Sequence, residues 1–247
     1  MGMRTRFAPT PSGFPHLGNA VNALLCARLA AELSGELLLR VDDADLQRHR
    51  MEYRRAIFEL VEWLDLPIAS VHEHQDQHGD RYWNQLIRLA EAVPEMVYVC
   101  SCTRSQLDSG KACLCSGRVS QWRIHEARVC MRLDDNAATV LWRRDGIPAY
   151  HLTSVVDDDR LGITHVIRGD DLQGSTIIQR QISHYLPGSG FADTWVAHHA
   201  LVLDQRGNKL SKSSGALSAP MRLDHATKTE IKRLAAQIWE REIVPLI

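Results

Sequence analysis

Apolar positions along the first 93 residues fall into runs of two alternating kinds. Arg4-Thr5-Arg6-Phe7-Ala8 reads as a short strand that breaks at Pro9, Pro11 and Gly13, where proline removes donors and glycine allows a tight turn. From about Leu17 to Leu33, Val21, Leu24, Leu25, Arg28, Leu29 and Leu33 recur at helical spacing, with Gly35 as the stop. Leu37-Leu38-Leu39-Arg40-Val41 is then a continuous run of the kind a buried parallel strand shows. Two amphipathic helices are predicted next, one through Tyr53, Ile57, Leu60, Val61 and Leu64, the other through Trp83, Leu86, Ile87, Ala90 and Val93 before Pro94 ends it. Strand alternating with helix implies an α/β fold with a doubly wound parallel, Rossmann-like sheet.

Between Pro94 and about Leu133 the pattern changes to short Cys-, Gly- and Ser-rich pieces, predicting an insertion over 94–133 into a catalytic domain made of 1–93 and 134–214. Strand signals resume at Thr139 to Trp142, Tyr150 to Val156 and Ile163 to Ile167, followed by a helix through Ile177, Ile178, Ile182 and Tyr185. A strand at Ala200 to Leu203 is expected to deliver the loop around Lys209. A C-terminal segment, 215–247, reads as one helix through Ile231, Leu234, Ile238 and Ile243. There is no internal repeat and no low-complexity stretch.

Composition narrows the class without choosing a function. The 247 residues, 45% apolar and 24% charged, suit one good core or a catalytic domain with a small insert. No apolar stretch reaches the roughly 20 residues needed to span a bilayer, and Met1-Gly2-Met3-Arg4-Thr5-Arg6 lacks a signal peptide's apolar core, so a cytoplasmic protein without membrane contact, and a monomer, is expected. A net charge of −1 shows no global commitment to nucleic acid, although a local basic face is compatible with it.

The six cysteines are more informative in spacing than in number. Cys100-Ser101-Cys102 and Cys113-Leu114-Cys115 form two C-x-C pairs separated by ten residues. Four thiolates in two close pairs suit a tetrahedral structural zinc site; partly buried free thiols are the bland alternative. Whether Cys113 or a neighbouring side chain completes the set stays open. Cys26 and Cys130 sit in apolar surroundings and read as core residues.

Two further segments carry candidate chemistry. Phe14-Pro15-His16-Leu17-Gly18-Asn19 places an imidazole and a close-approach glycine at the mouth of a helix, where free N–H groups and the helix dipole favour phosphate. Lys209-Leu210-Ser211-Lys212-Ser213, about 190 residues later, supplies two ammonium groups for the same anion. The bland readings are that His16 merely caps the helix and that the lysines are solvated charges. The order and the strand-like run before each segment favour the functional reading.

With these segments in place the chain resembles the class I aminoacyl-tRNA synthetases. It is similar to the glutamyl-tRNA synthetases and, among them, to the truncated glutamyl-queuosine tRNA(Asp) synthetases. The resemblance rests on Arg6 to Gly13 running into His16 to Asn19, Leu39 to Asp45, the cysteine insert, Arg144 to His151, Val155 to Asp158, Val166 to Asp171, and Lys209 to Ser213. It implies that glutamate attacks the α-phosphorus of ATP, pyrophosphate leaves, and the acyl-adenylate passes to an acceptor. It also implies a catalytic set of His16, Asn19, Lys209 and Lys212, working with Mg²⁺. ATP would lie against Pro9, His16, Gly18, Asn19, Lys209, Leu210, Ser211, Lys212 and Ser213. Glutamate, with two carboxylates and one ammonium, calls for two cations and an anion, which Arg6, Arg168 and Asp42 supply. Ala8, Thr10 and Tyr150 complete that expected pocket.

The chain departs from the pattern in three places. Asp42-Asp43 stands where bacterial glutamyl enzymes carry Glu-Asp, which keeps glutamine as a minor alternative substrate, although Arg168 argues against it. The span from Arg128 to Arg143 is too short for the stretch that helps hold the acceptor end of tRNA. Only about 33 residues follow Ser214, so no anticodon-binding region is expected. Queuosine in tRNA(Asp) is the expected acceptor; a small molecule or protein is the alternative, and a non-enzymatic interaction protein is a third reading that intact His16, Gly18, Lys209 and Lys212 oppose.

Overall fold

The computed structural model describes residues 2–47, 49–103, 106, 113, 115, 117–119, 128–133, 137–202 and 220–247. They form two compact units, one made of 1–75, 163–173 and 194–247, the other of 76–162 and 174–193. The Lys209 to Ser213 segment lies outside the described residues.

The first unit is built on parallel strands. β1 (Arg4–Phe7) pairs with β2 (Glu36–Arg40), which pairs with β3 (Ile68–His72), all parallel. A second parallel pair, β8 (His165–Gly169) with β9 (Trp195–His199), joins β1 through Thr164, whose N–H donates to Arg4 O and whose Oγ1 accepts from Arg4 N, both at 2.9 Å. Helix α1 (Leu17–Glu32) connects β1 to β2 and buries Val21, Leu25, Cys26 and Leu29. The turn after it needs Gly35: a Cβ there would lie 2.5 Å from Met3 O, the acceptor of the Glu36 N–H. Helix α2 (Met51–Trp63) buries Ile57 and Leu60, and β3 follows. Helix α6 (His225–Ile238) continues into a π-helical turn, Trp239–Ile243, and sends Ile231, Ala235, Trp239 and Ile243 into the same core as Phe7, Leu37 and Leu39. Arg28 of α1 covers the Trp239 ring at 4.7 Å and pairs with Glu240 at 2.9 Å.

In the second unit, helix α3 (Gly79–Ala92) precedes an antiparallel sheet of order β5-β4-β6-β7, with β4 at Val97–Cys100, β5 at Gly117–Arg118, β6 at Arg128–Arg132 and β7 at Ala138–Trp142. Helices α4 (Tyr150–Arg160) and α5 (Gln173–Tyr185) complete it, α5 beginning at the last residue of a first-unit segment. Trp83 meets Trp142 edge to face at 5.0 Å, and the Tyr82 hydroxyl donates to the buried Asp157 carboxylate at 2.8 Å.

The α/β architecture with parallel strands agrees with the pattern of the sequence, and three local expectations are corrected. Tyr150 to Val156 is the start of helix α4, not a strand, because Leu152, Val155 and Val156 share one buried helical face. The last parallel strand is Trp195–His199, so Ala200 to Val202 lie beyond it and Leu203 falls outside the described residues. The strand expected at Ile163 to Ile167 runs from His165 to Gly169. Among the described residues no helix is long and apolar enough to cross a membrane.

Candidate active site

The loops at the carboxyl ends of β1 and β2 are laced together, and open α/β sheets bind ligands at such strand ends. The Asp42 N–H donates to Pro9 O at 3.0 Å, tying the loop after β1 to the end of β2. Val41 N donates to His72 O at 2.8 Å, and the Asp43 carboxylate accepts from His74 N at 3.0 Å and Gln75 N at 2.7 Å, tying in the loop after β3. Within the first loop Pro9 and Pro11 are buried, Ala8 is half-buried and Thr10 is exposed.

His16 is the N-cap of α1, in an extended conformation. Its Nδ1 accepts the Gly18 N–H at 3.1 Å, while its own N–H donates to Asn19 Oδ1 at 3.0 Å. With the Nδ1 lone pair taken, the neutral imidazole carries its proton on Nε2, and that N–H is a donor. No acidic residue occupies the first turn of α1. The cap that looked like a rival to catalysis is what orients the ring. One turn on, Asn22 Nδ2 donates to Ile167 O at 3.1 Å and lies 3.3 Å from His199 Nε2, while His199 Nδ1 is 2.8 Å from Ala200 O. That partly buried chain ties α1 to the ends of β8 and β9.

Arg6 on β1, Asp42 just past β2 and Arg168 on β8 are all buried within the first unit, at 5%, 8% and 3% exposure. Charged groups so deep require partners. Asp42 has a close one that the sequence reading missed: Arg40 Nε meets Oδ1 at 2.6 Å and Nη2 meets Oδ2 at 3.2 Å, and Gln75 Nε2 adds a bond to Oδ1 at 3.2 Å. The signal was available as an arginine inside an apolar strand run, two residues before an aspartate and therefore on the same face. Tyr150, at the start of α4, belongs to the second unit and is 37% exposed.

The structure brings the four candidate metal ligands together. The Sγ atoms of Cys100, Cys102, Cys113 and Cys115 all lie within 4.8 Å of one another. Cys113 is 3.6 Å from Cys100 and from Cys102, and Cys102 is 3.7 Å from Cys115. A tetrahedron with Zn–S bonds of ~2.3 Å has S···S edges of about 3.8 Å, so the set fits zinc. These separations are far beyond the ~2.05 Å of a disulfide. Without metal the thiols are unequal. Bonds from Ser101 bring Cys115 down to about 6, whereas burial drives Cys100, and bonding to the neighbouring sulfurs drives Cys102, up to about 12. Cys130 is fully buried beside the cluster, its pKa pushed up to about 11 by burial.

Comparison with known proteins places this geometry in a family. The model of the class I tRNA synthetases (E and Q), catalytic domain, matches residues 2–137 and 124–230. The glutamate–tRNA ligase of Methylobacillus flagellatus is 33% identical over 88% of this chain and 54% of its own length, and that of Magnetococcus marinus is 34% identical over 87% and 52%. The chain thus spans about half the length of these curated relatives. Among solved structures, the glutamate–tRNA synthetase of Elizabethkingia anophelis superposes with a TM-score of 0.69 at 24% identity, over 87% of this chain and 53% of that one. A methionyl-tRNA synthetase of Mycobacterium tuberculosis gives 0.64 at 14% identity, over 95% and 64%, a likeness of fold alone. With its signature histidine capping the helix that follows the first parallel strand, the chain belongs to the class I tRNA synthetases of the E and Q kind and matches them over the catalytic domain.

Proposed function

We propose that this protein activates L-glutamate with ATP to glutamyl-adenylate and transfers the glutamyl group to queuosine in tRNA(Asp). The observation that supports the activation step is the His16 cap: the ring is held through Nδ1 at the N-terminus of α1, whose first turn carries no acidic residue. Phosphoryl chemistry asks little covalent work of a protein and much positioning of donors around oxygens that gain charge. His16 and the first-turn amides take that role, with Asn19 holding the cap, Pro9 and Gly18 beside the ATP, and Lys209, Leu210, Ser211, Lys212 and Ser213, by the resemblance, contributing to phosphate binding. Mg²⁺ would neutralise the departing pyrophosphate.

For the amino acid, Arg6 and Arg168 take the carboxylates and Asp42 the ammonium, with Ala8 and Thr10 beside them; Tyr150, of the second unit, is assigned to glutamate by the resemblance alone. The Arg40 and Gln75 bonds hold Asp42 in one rotamer for that contact. Zn²⁺ on Cys100, Cys102, Cys113 and Cys115 would staple the cysteine-bearing sheet and take no part in the chemistry.

The relatives named as glutamate–tRNA ligases support glutamate, and the resemblance to the queuosine-tRNA branch supports the acceptor. One observation favours a second reading, transfer to a small molecule or protein: β6 and β7 are adjacent strands joined by only residues 133–137, which leaves no room there for an acceptor-holding stretch. ATP–pyrophosphate exchange with glutamate, glutamine and aspartate, first without RNA and then with it, tests activation. Exchange with glutamate alone is expected, and exchange with none of the three under either condition would overturn the reading. Transfer of labelled glutamate to queuosine-bearing tRNA(Asp), but not to tRNA(Asp) lacking queuosine, separates the two acceptors.

A further inference from the structure

The four sulfurs of the cysteine centre are carried on backbone that arginines grip from outside. Arg128 and Arg132 sit at the two ends of β6, four residues apart and so on one face of the strand. Arg128 Nη1 donates to Cys102 O at 2.6 Å. Arg144, two residues beyond β7, donates through Nη2 to Ser101 O at 2.5 Å and to Cys102 O at 3.3 Å. Arg132 forks, with Nη1 to Cys113 O at 3.1 Å and Nη2 to Cys115 O at 3.4 Å, while its guanidinium covers the Tyr98 ring at 5.1 Å. Cys100 needs no such help, because it lies in the β4 ladder opposite Arg128.

The division of labour is uneven. Two arginines share the carbonyls of Ser101 and Cys102, and among the described residues Arg132 reaches the carbonyls of both Cys113 and Cys115. A metal site whose ligands must be gathered on binding loses affinity to the ordering of its loops, and outer-shell bonds that pre-place the ligands recover it. A guanidinium is suited to this because its planar fork reaches two carbonyls at once, which an ammonium on a flexible stem does not.

We propose that Arg128, Arg132 and Arg144 are positioning residues of the cysteine centre, preorganising the sulfurs for a tetrahedral divalent metal by fixing the carbonyls of both cysteine pairs, with Arg132 dominant. This rests on the zinc reading above. The guanidiniums also set positive charge around a centre that, with Zn²⁺ and four thiolates, carries two net negative charges, but the fork and not the charge is the operative feature.

The test is zinc affinity by competition with a chromophoric chelator, with Co²⁺ absorption as a second readout of tetrahedral thiolate geometry. Arg132→Lys keeps the charge and loses the fork; it should weaken zinc binding about 10- to 100-fold and shift the Co²⁺ ligand-field bands. Arg128→Lys and Arg144→Lys should each have a smaller effect, and the double variant one comparable to Arg132→Lys. A wild-type protein that takes up neither metal overturns the zinc reading and this proposal with it. A wild type that loads one zinc, beside Arg132→Lys and double variants of equal affinity and unchanged Co²⁺ spectra, overturns this proposal alone. Should Arg132→Lys not fold, the Arg128 and Arg144 pair carries the comparison.

Discussion

His16 caps α1 with the same ring that the proposed mechanism assigns to the phosphates, and Gly18 leaves that ring its room. A Cβ on residue 18 would lie 3.0 Å from His16 Cε1 and 3.1 Å from Nδ1, tighter than most real Cβ contacts, so the ring would have to give by a few tenths of an ångström. Gly18→Ala should therefore push the imidazole off its cap without disturbing the core. Losing one preorganised donor costs on the order of 100-fold in kcat, so pyrophosphate exchange should fall by about that much while the melting temperature barely moves. A different residue-scale prediction concerns Arg40, whose side chain is 1% exposed beside an Asp42 at 7%. Arg40→Met would strand a buried carboxylate, a change that costs about 3–5 kcal/mol, readable by denaturant unfolding. His16, Gly18 and Asn19 were legible as a motif because their chemistry is local. The Arg40 bond to Asp42 was legible too, two residues apart, but was missed; the Gln75 bond was not legible, since Gln75 reaches Asp42 from 33 positions away.

Elements were legible where burial was one-sided and long. Helix α1 runs from Leu17 to Glu32, and its apolar stripe and terminal glycine announce it. The strand β3 escaped notice because it is short and mixes Ile68, Ala69 and Val71 with Ser70 and His72 without clear alternation, and it is defined by parallel pairing with β2. Helix α4 misled in the opposite direction: Leu152 to Val156 mixes β-branched and apolar residues as a strand does, and the helix owes its place to partners such as Tyr82, distant in sequence. The end of α2 offers a prediction at this scale. Asp65 sits at φ 56°, a conformation aspartate and asparagine tolerate, and its carboxylate takes a bond from Lys228 of α6 at 2.7 Å. That bond and the ammonium charge hold the carboxyl below its usual range. A depressed folded pKa means that the stabilisation is present above the unfolded value of about 3.9 and is lost as pH falls through the folded one. Asp65→Asn, which keeps the backbone preference, should lower the melting temperature near neutrality, and the gap to wild type should close in acid. Trp239→Ala should be costlier: truncating a large buried aromatic costs about 3–5 kcal/mol, and Trp239 is 1% exposed in the core it shares with Phe7.

At the scale of the molecule the two units should respond differently to loss of metal. Cys100→Ser, or chelation of the wild type, should release zinc and speed amide exchange in β4 and β6, while β1 and β2 keep their protection because their core is apolar and contains none of the four ligands. The alternation of strand and helix made the α/β class legible, but the division into units was not, because no local pattern tells which distant stretches share a core. That core draws Phe7 and Leu37 from the beginning of the chain, Ile167 from the middle and Trp239 and Ile243 from near its end. During synthesis, then, β1, α1 and β2 emerge early but have no complete partner until Ile243 has cleared the ribosome, whereas the residues of the cysteine-bearing sheet are all available about a hundred positions sooner. Contacts of such high sequence separation are slow to form and leave apolar surface waiting in the interval. The first unit should thus complete its core after the cysteine-bearing sheet can form, with more of its apolar surface exposed in the interval.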